Sequence, residues 1–178
     1  MALVFVVGVP GTGKSTVCDE LKRRGHLARD TDGDGFSAWV SRITGLPVDR
    51  HFTVEDRDQA FNDEFKWIID VGKVVALRDR AATEHTTAFV FGSAENEDEI
   101  SAVADHVLCL AVDDDTLRHR LATRTGNDYG KSELELQFCL AANATYASDY
   151  ERFGATIIDA AQALNQIVDQ VLRLSPST

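Results

Sequence analysis

Within Gly8-Val9-Pro10-Gly11-Thr12-Gly13-Lys14-Ser15-Thr16, the eight residues from Gly8 to Ser15 match G-x-x-x-x-G-K-[ST] in full. Glycines at these spacings let the backbone turn tightly, so that successive N–H groups point inward at phosphate oxygens. Lys14 then reaches the β- and γ-phosphates and the Ser15 hydroxyl ligates Mg²⁺. A helix beginning near Lys14 adds the positive end of its dipole. The competing reading is a glycine-rich turn with no ligand. The apolar run Leu3-Val4-Phe5-Val6-Val7 before the loop and the helical pattern after it favour the phosphate-binding loop, or P-loop. Gly8, Pro10, Gly11, Thr12, Gly13, Lys14, Ser15 and Thr16 are therefore the predicted nucleotide contacts.

Acids and bases follow at intervals that return them to this loop. Asp30 and Asp32 come one predicted helix and one predicted strand later, within Asp30-Thr31-Asp32-Gly33-Asp34-Gly35. Phosphoryl transfer to a hydroxyl needs Mg²⁺ on the β- and γ-oxygens and a carboxylate that orients the attacking oxygen or takes its proton. Two acids one residue apart can divide those tasks; an Asp/Gly turn is the plainer alternative, and Asp34 reads as an N-cap for a following helix. Arg120 and Arg124 lie at i, i+4 on one helix face before a Gly126 loop. Basic groups on a closing loop can exclude water and neutralise charge that develops during transfer. Arg118 and Lys131 read better as solvated surface. Ser93 and Asn96 form a turn that either contacts an acceptor or caps a helix. Asp113, Asp114 and Asp115 read as helix caps rather than metal ligands.

The elements that must hold these residues alternate along the chain. Strands are predicted at residues 3–7, 26–29, 87–91, 107–112 and 156–158. Helices are predicted after the P-loop, over 36–43, from 53 toward 70, over 73–83, from 95, from 113, over 132–152 and over 164–174. Alternation of this kind implies a parallel sheet covered on both faces, with ligands at the carboxyl ends of its strands. With 178 residues, 44% of them hydrophobic, the chain reads as one domain (1–178) with an ordinary soluble core. Its net charge of −11 disfavours nucleic acid as a main partner. Three scattered cysteines form no C-x-x-C pair and read as reduced core thiols, and no apolar run approaches membrane-spanning length. The expectation is a cytoplasmic protein with no signal peptide and no membrane partner.

The P-loop, the Asp-x-Asp after a second strand and the Arg-x-x-x-Arg before residue 126 resemble the small P-loop kinases, which include adenylate, shikimate and gluconate kinases. The stretches Asp30-Thr31-Asp32 and residues 118–124 also look like actinobacterial chains described as ATP-binding or kinase-like. The resemblance implies a P-loop NTPase fold, a three-layer α/β/α sandwich with a five-stranded parallel sheet in order 2-3-1-4-5. It also implies an acceptor-binding helical region at 36–86 and a helical lid at 120–135. Carried over, Lys14 takes the phosphates, Ser15 and Asp30 the metal, and Asp32 the acceptor, while Arg120 packs on adenine and Arg124 closes on the phosphates. Adenylate kinases place an arginine after the third strand, where this chain reads Phe91-Gly92-Ser93-Ala94-Glu95. The glycine triplet of shikimate kinases is absent too. The Ser93-Ala94 turn is nearer to gluconate kinases, although Asp128-Tyr129-Gly130 stands in place of their post-lid His-Phe-Met. The implied activity is ATP- and Mg²⁺-dependent transfer of the γ-phosphate to a hydroxyl of a small-molecule acceptor, of sugar-acid or nucleoside type. The catalytic residues would be Lys14, Asp32 and Arg124. The alternatives are a nucleoside monophosphate kinase gripping its acceptor with Arg42, Arg57 or Arg78, and a nucleotide-dependent regulatory ATPase. Without an Asn/Thr-Lys-x-Asp signature for guanine, ATP is the expected nucleotide.

Overall fold

A computed structural model describes residues 2–48, 52, 59–125 and 128–175. The apolar run ahead of the P-loop becomes β1 (Ala2–Val7), with all six residues buried. Such a run cannot face water on either side, so it must lie mid-sheet under helices on both faces. It pairs in parallel with β5 (Thr87–Phe91) and with β6 (His106–Ala111). Outside these lie β2 (Leu27–Asp30) against β5 and β7 (Thr156–Asp159) against β6. Among the described residues this sheet has five strands in the order β2-β5-β1-β6-β7. Numbered among themselves along the chain, they read 2-3-1-4-5.

The pleat sorts the core into two layers. Val4 and Val6 pack with Cys18 and Leu21 of α1 (Lys14–Arg23), Leu117 of α5 (Asp114–Thr123), Cys139 of α6 (Glu133–Arg152) and Val168 of α7 (Leu164–Leu174). Leu3, Phe5 and Val7 pack on the other face with Val74 and Leu77 of α3 (Val71–Thr83) and Ile100 of α4 (Glu97–Val103). Alternate side chains of one strand thus seed both layers. Helix starts follow their caps: Asp113 accepts from the Thr116 N–H at 2.7 Å and Ser132 from the Glu135 N–H at 3.3 Å.

The region after Asp30 corrects two predicted helices. Residues 37–41 of the helix predicted at 36–43 form a strand, β3 (Ser37–Ser41). The helix predicted from 53 toward 70 is helical only as α2 (Gln59–Glu64) and then becomes β4 (Phe65–Ile69); residues 53–58 lie outside the described part. β3 and β4 pair antiparallel, with Trp39 opposite Trp67. Phe61, Phe65 and Ile68 fit a helical stripe, but Phe-Lys-Trp-Ile-Ile is also rich in the aromatic and β-branched residues that suit strands. Packing against a cross-strand partner settled the choice. Trp39, Phe52, Phe61 and Phe65 form a ring cluster with centroids 4.7–6.2 Å apart, a satellite core beside the sheet's carboxyl edge. Asp34 caps no helix; its Oδ2 accepts from the Asp30 N–H and from Lys22 Nζ.

Candidate active site

The P-loop closes on itself without help from side chains at its helix. Gly13 occupies the N-cap of α1 in a left-handed conformation with φ of 100°, and no side chain caps the helix. The first N–H groups of α1 are thus left for an anion. Thr12 is buried and fixes the loop from within, its hydroxyl donating to Val9 O at 3.0 Å. Gly11, with φ of 99°, lies where a Cβ would come within 2.7 Å of Leu117 Cδ1, so the loop rests directly on α5. Lys14 Nζ folds back to donate to Gly8 O and to Val9 O. Burial pushes its pKa below the usual lysine value, while Glu97, Asp32 and Asp30 oppose that shift. An ammonium poised in this way gains from an incoming phosphate.

Asp30 and Asp32 return to the loop at the end of β2 and do different things there. Asp30 Oδ1 accepts from the Asp32 and Gly33 N–H groups, both at 3.1 Å, and so closes the turn. Asp32 is exposed, and its Oδ1 accepts from Trp67 Nε1 at 3.1 Å and from the Thr31 hydroxyl at 3.3 Å. Gly92 is needed behind them, because a Cβ there would run into the Thr31 side chain. Arg120 uses its planar fork as a brace, Nη1 donating to Thr12 O at 3.0 Å and Nη2 to Ala160 O at 2.8 Å. It thereby joins the P-loop to the turn after β7. Arg124 is the C-cap of α5, half-buried, with burial lowering its pKa against the pull of nearby acids that include Glu135 and Asp128. Lys131 is taken up by Asp128 at 2.7 Å, and Arg118 is exposed.

These groups line one cleft of about 1390 Å³, which brings Lys14, Ser15, Asp30, Asp32, Arg120 and Arg124 together. Ser93 also lines it. Asn96 does not belong to an acceptor site: it is buried, and its amide both donates to Ile69 O and accepts from the Ile69 N–H at 2.9 Å. Of the arginines that could grip an acceptor phosphate, Arg42 is bound bidentately by Glu95 at 2.6 and 2.7 Å. Arg78 sits 3.7 Å from Asp79 on α3, and Arg57 lies outside the described residues. Among the described residues no group of three or more His, Cys, Asp or Glu side chains could hold a metal by itself. A Mg²⁺ carried mainly by phosphate oxygens needs no such group, and the Ser15 hydroxyl and the Asp30 carboxylate, which line the same cleft, are hard oxygen donors of the kind that ion prefers.

Two features escaped the sequence pattern. The Trp67–Asp32 bond joins residues 35 apart and depends on the unpredicted β3–β4 pairing. Glu97 receives the Tyr146 hydroxyl at 2.8 Å and the Tyr150 hydroxyl at 2.5 Å, which ties α6 to the start of α4. Burial and the adjacent Glu97 carboxylate raise both phenols well above their ordinary pKa. The i, i+4 spacing of the two tyrosines was a visible signal, but nothing in the sequence pointed to their common acid.

A five-stranded parallel sheet with this loop after its central strand, and one cleft at its carboxyl edge, defines a P-loop nucleotide-binding α/β protein. The family described as AAA domain matches residues 4–138, and the chain belongs to that family. No curated protein matches the sequence. Among solved structures the fold is similar to a shikimate kinase from Acinetobacter baumannii in complex with shikimate, with a TM-score of 0.58 at 18% identity, covering 98% of this chain and 92% of that one. It is similar also to a sugar kinase from Janibacter sp. HTCC2649, with a TM-score of 0.55, 20% identity and coverage of 97% and 93%. A gluconokinase from Sinorhizobium meliloti 1021 gives 0.53, 18% identity and coverage of 97% and 90%. At these identities the likeness is one of fold, that of small P-loop kinases.

Proposed function

We propose that the chain is a cytoplasmic, ATP- and Mg²⁺-dependent phosphotransferase that moves the γ-phosphate to a hydroxyl of a small metabolite, of sugar-acid or nucleoside type. The observation that carries this reading is Asp32, a carboxylate on the rim of the nucleotide cleft whose one oxygen is fixed by the Trp67 indole. An acid so oriented beside a P-loop can take the acceptor's proton or hold its hydroxyl in line. Lys14 neutralises the transferring phosphate, Ser15 and Asp30 serve the metal, Arg120 flanks the base, and Arg124 closes on the phosphates. The 120–135 segment serves as the lid and the 36–86 region as the acceptor side. The location fits three free, buried cysteines, two of whose thiols burial pushes up to about 12.

The test is Asp32→Ala. Acceptor-dependent ADP release is expected to drop by about 10²–10⁴, the usual contribution of a general base, with ATP-analogue affinity unchanged within about twofold. Turnover equal to that of the unmodified protein would remove Asp32 from this role.

A further inference from the structure

The cleft is larger than a single-ligand pocket, about 1390 Å³ against the roughly 300–1,000 Å³ usual for one ligand. Its space beyond the P-loop has two walls of unlike origin. One is the β3–β4 pair, presenting Trp39 and Trp67, their rings 5.1 Å apart, and backed by Phe61. The other is the first half of α6, where Phe138 is 55% exposed and Leu134 60% exposed although both line the cleft. Phe138 and Asn62 also line a smaller recess of about 320 Å³, together with Pro10 of the P-loop. Trp39 and Trp67 are half-buried and Phe138 and Leu134 exposed, and large apolar side chains lining two sides of a nucleotide cleft can bury a ring that arrives between them.

The charges near these walls select further. Asp32 and Glu95 stand on the cleft's rim beside Trp67, and Asp30 lies one turn away. Of the cations that line the cleft, Lys14 and Arg120 are held by backbone carbonyls and Lys22 by Asp34; Arg42, which follows β3, is neutralised by Glu95 at 2.6 Å. Against the β3–β4 wall, a carboxylate or phosphate on the acceptor would meet Asp32 and Glu95 rather than the bidentate cationic fork that recognises such groups.

Resting on the kinase reading above, we propose that the acceptor is an uncharged hydroxyl compound with a flat ring, nucleoside-like rather than a sugar acid. Its ring stacks between Trp39/Trp67 and Phe138, and its hydroxyl lies on Asp32. Trp67 then has two tasks, one face for the ring and its N–H for the acid that receives the hydroxyl.

The chain's two tryptophans are both on this wall, so intrinsic fluorescence reports on it directly. The full chain, saturated with Mg²⁺ and a non-hydrolysable ATP analogue, is titrated with uridine, cytidine, gluconate and shikimate. Saturable quenching by a nucleoside is expected, with no saturable response to either acid. Phe138→Ala should weaken the nucleoside at least about fivefold, the low end of the effect of losing one stacking partner, while ATP-analogue affinity stays within twofold. The proposal is overturned if an acid saturates more tightly than the nucleosides, if no nucleoside saturates, or if Phe138→Ala leaves nucleoside affinity unchanged. Coupled ADP release separates the two readings. Nucleoside binding with no ADP release for any of the four compounds overturns the kinase reading and, with it, the nucleoside as acceptor. ADP release with gluconate alone supports the kinase reading and overturns this one.

Discussion

The donor and acceptor sides of the cleft are built on opposite principles. On the donor side, nine contiguous residues make a loop from backbone N–H groups, and each is placed by its immediate neighbours: Gly13 at the helix N-cap, Thr12 on Val9, Lys14 on Gly8 and Val9. On the acceptor side, no two key residues are neighbours in sequence. Trp67 holds Asp32 across 35 positions, and Glu95 holds Arg42 across 53. A local motif fixes chemistry that never varies, the grip on a triphosphate. A wall assembled from distant strands can change its residues without disturbing that grip, which suits the half of the reaction that defines specificity.

If the donor side works as one pre-organised cage, removing the P-loop's own side-chain cation should be the most damaging change. Lys14→Met is expected to lower kcat/KM by about 10²–10³, the effect of deleting a preorganised electrostatic contact, whatever acceptor is used. Steady-state kinetics with two different acceptors would check this. A loss confined to one acceptor would break the division between the sides.

The same lysine gives the donor side a pH signature in nucleotide binding. Burial lowers the Lys14 pKa in the free protein, and bound phosphates favour its ammonium form. As pH rises through the depressed pKa, free Lys14 loses its proton and ATP binding must restore it. Affinity should therefore fall by as much as about tenfold per pH unit, with proton uptake visible as a buffer-dependent binding enthalpy. Stability of the free protein moves the other way. The unfolded chain holds that proton more tightly, so this contribution to stability rises with pH in the same window. Lys14→Met should remove both slopes. A protein whose ATP affinity is flat in alkaline buffer would exclude the buried-ammonium account.

The contrast in construction also explains what could be read from the sequence. β1, the P-loop and α7 were legible because burial on two faces, glycine spacing and amphipathic period are local properties. So was the return of Asp30 to the loop, which follows from one helix and one strand. The β3–β4 pair was not legible. Phe61, Phe65 and Ile68 satisfy a helical stripe and a strand pattern alike, and only the partner strand with Trp39 decides between them. Asn96 shows the same limit. Its sequence neighbourhood points to a cap or a ligand contact, whereas Ile69, 27 residues away, claims both ends of its amide.

Trp67→Phe tests whether that distant pairing matters to the chemistry. It keeps a ring on β4 and removes the one N–H that orients Asp32. A hydrogen bond to a charged group contributes about 1.5–3 kcal/mol, so kcat should fall roughly tenfold or more. ATP-analogue affinity and unfolding midpoint should change little. An equal loss of ATP binding would mean that Trp67 supports the whole cleft rather than its acceptor half.

The smallest effect is expected at Arg42. Its pair with Glu95 is short and bidentate but partly exposed, 36% and 48% for the two side chains. Such pairs contribute about 0–1 kcal/mol, and Arg42→Ala should shift the unfolding midpoint by no more than a few degrees. Its kinetic consequence is more informative. If Arg42 serves only to neutralise Glu95 and brace the turn at Asn62 and Phe65, whose carbonyls its Nε also reaches, the variant leaves one more free carboxylate on the acceptor wall. Uncharged acceptors should then keep their KM, and any anionic acceptor should bind still more weakly. A large, selective rise in KM for a nucleoside monophosphate would instead show Arg42 leaving Glu95 to grip a phosphate. The acceptor side would then depend on a rearranging cation, in contrast to the fixed cage across the cleft.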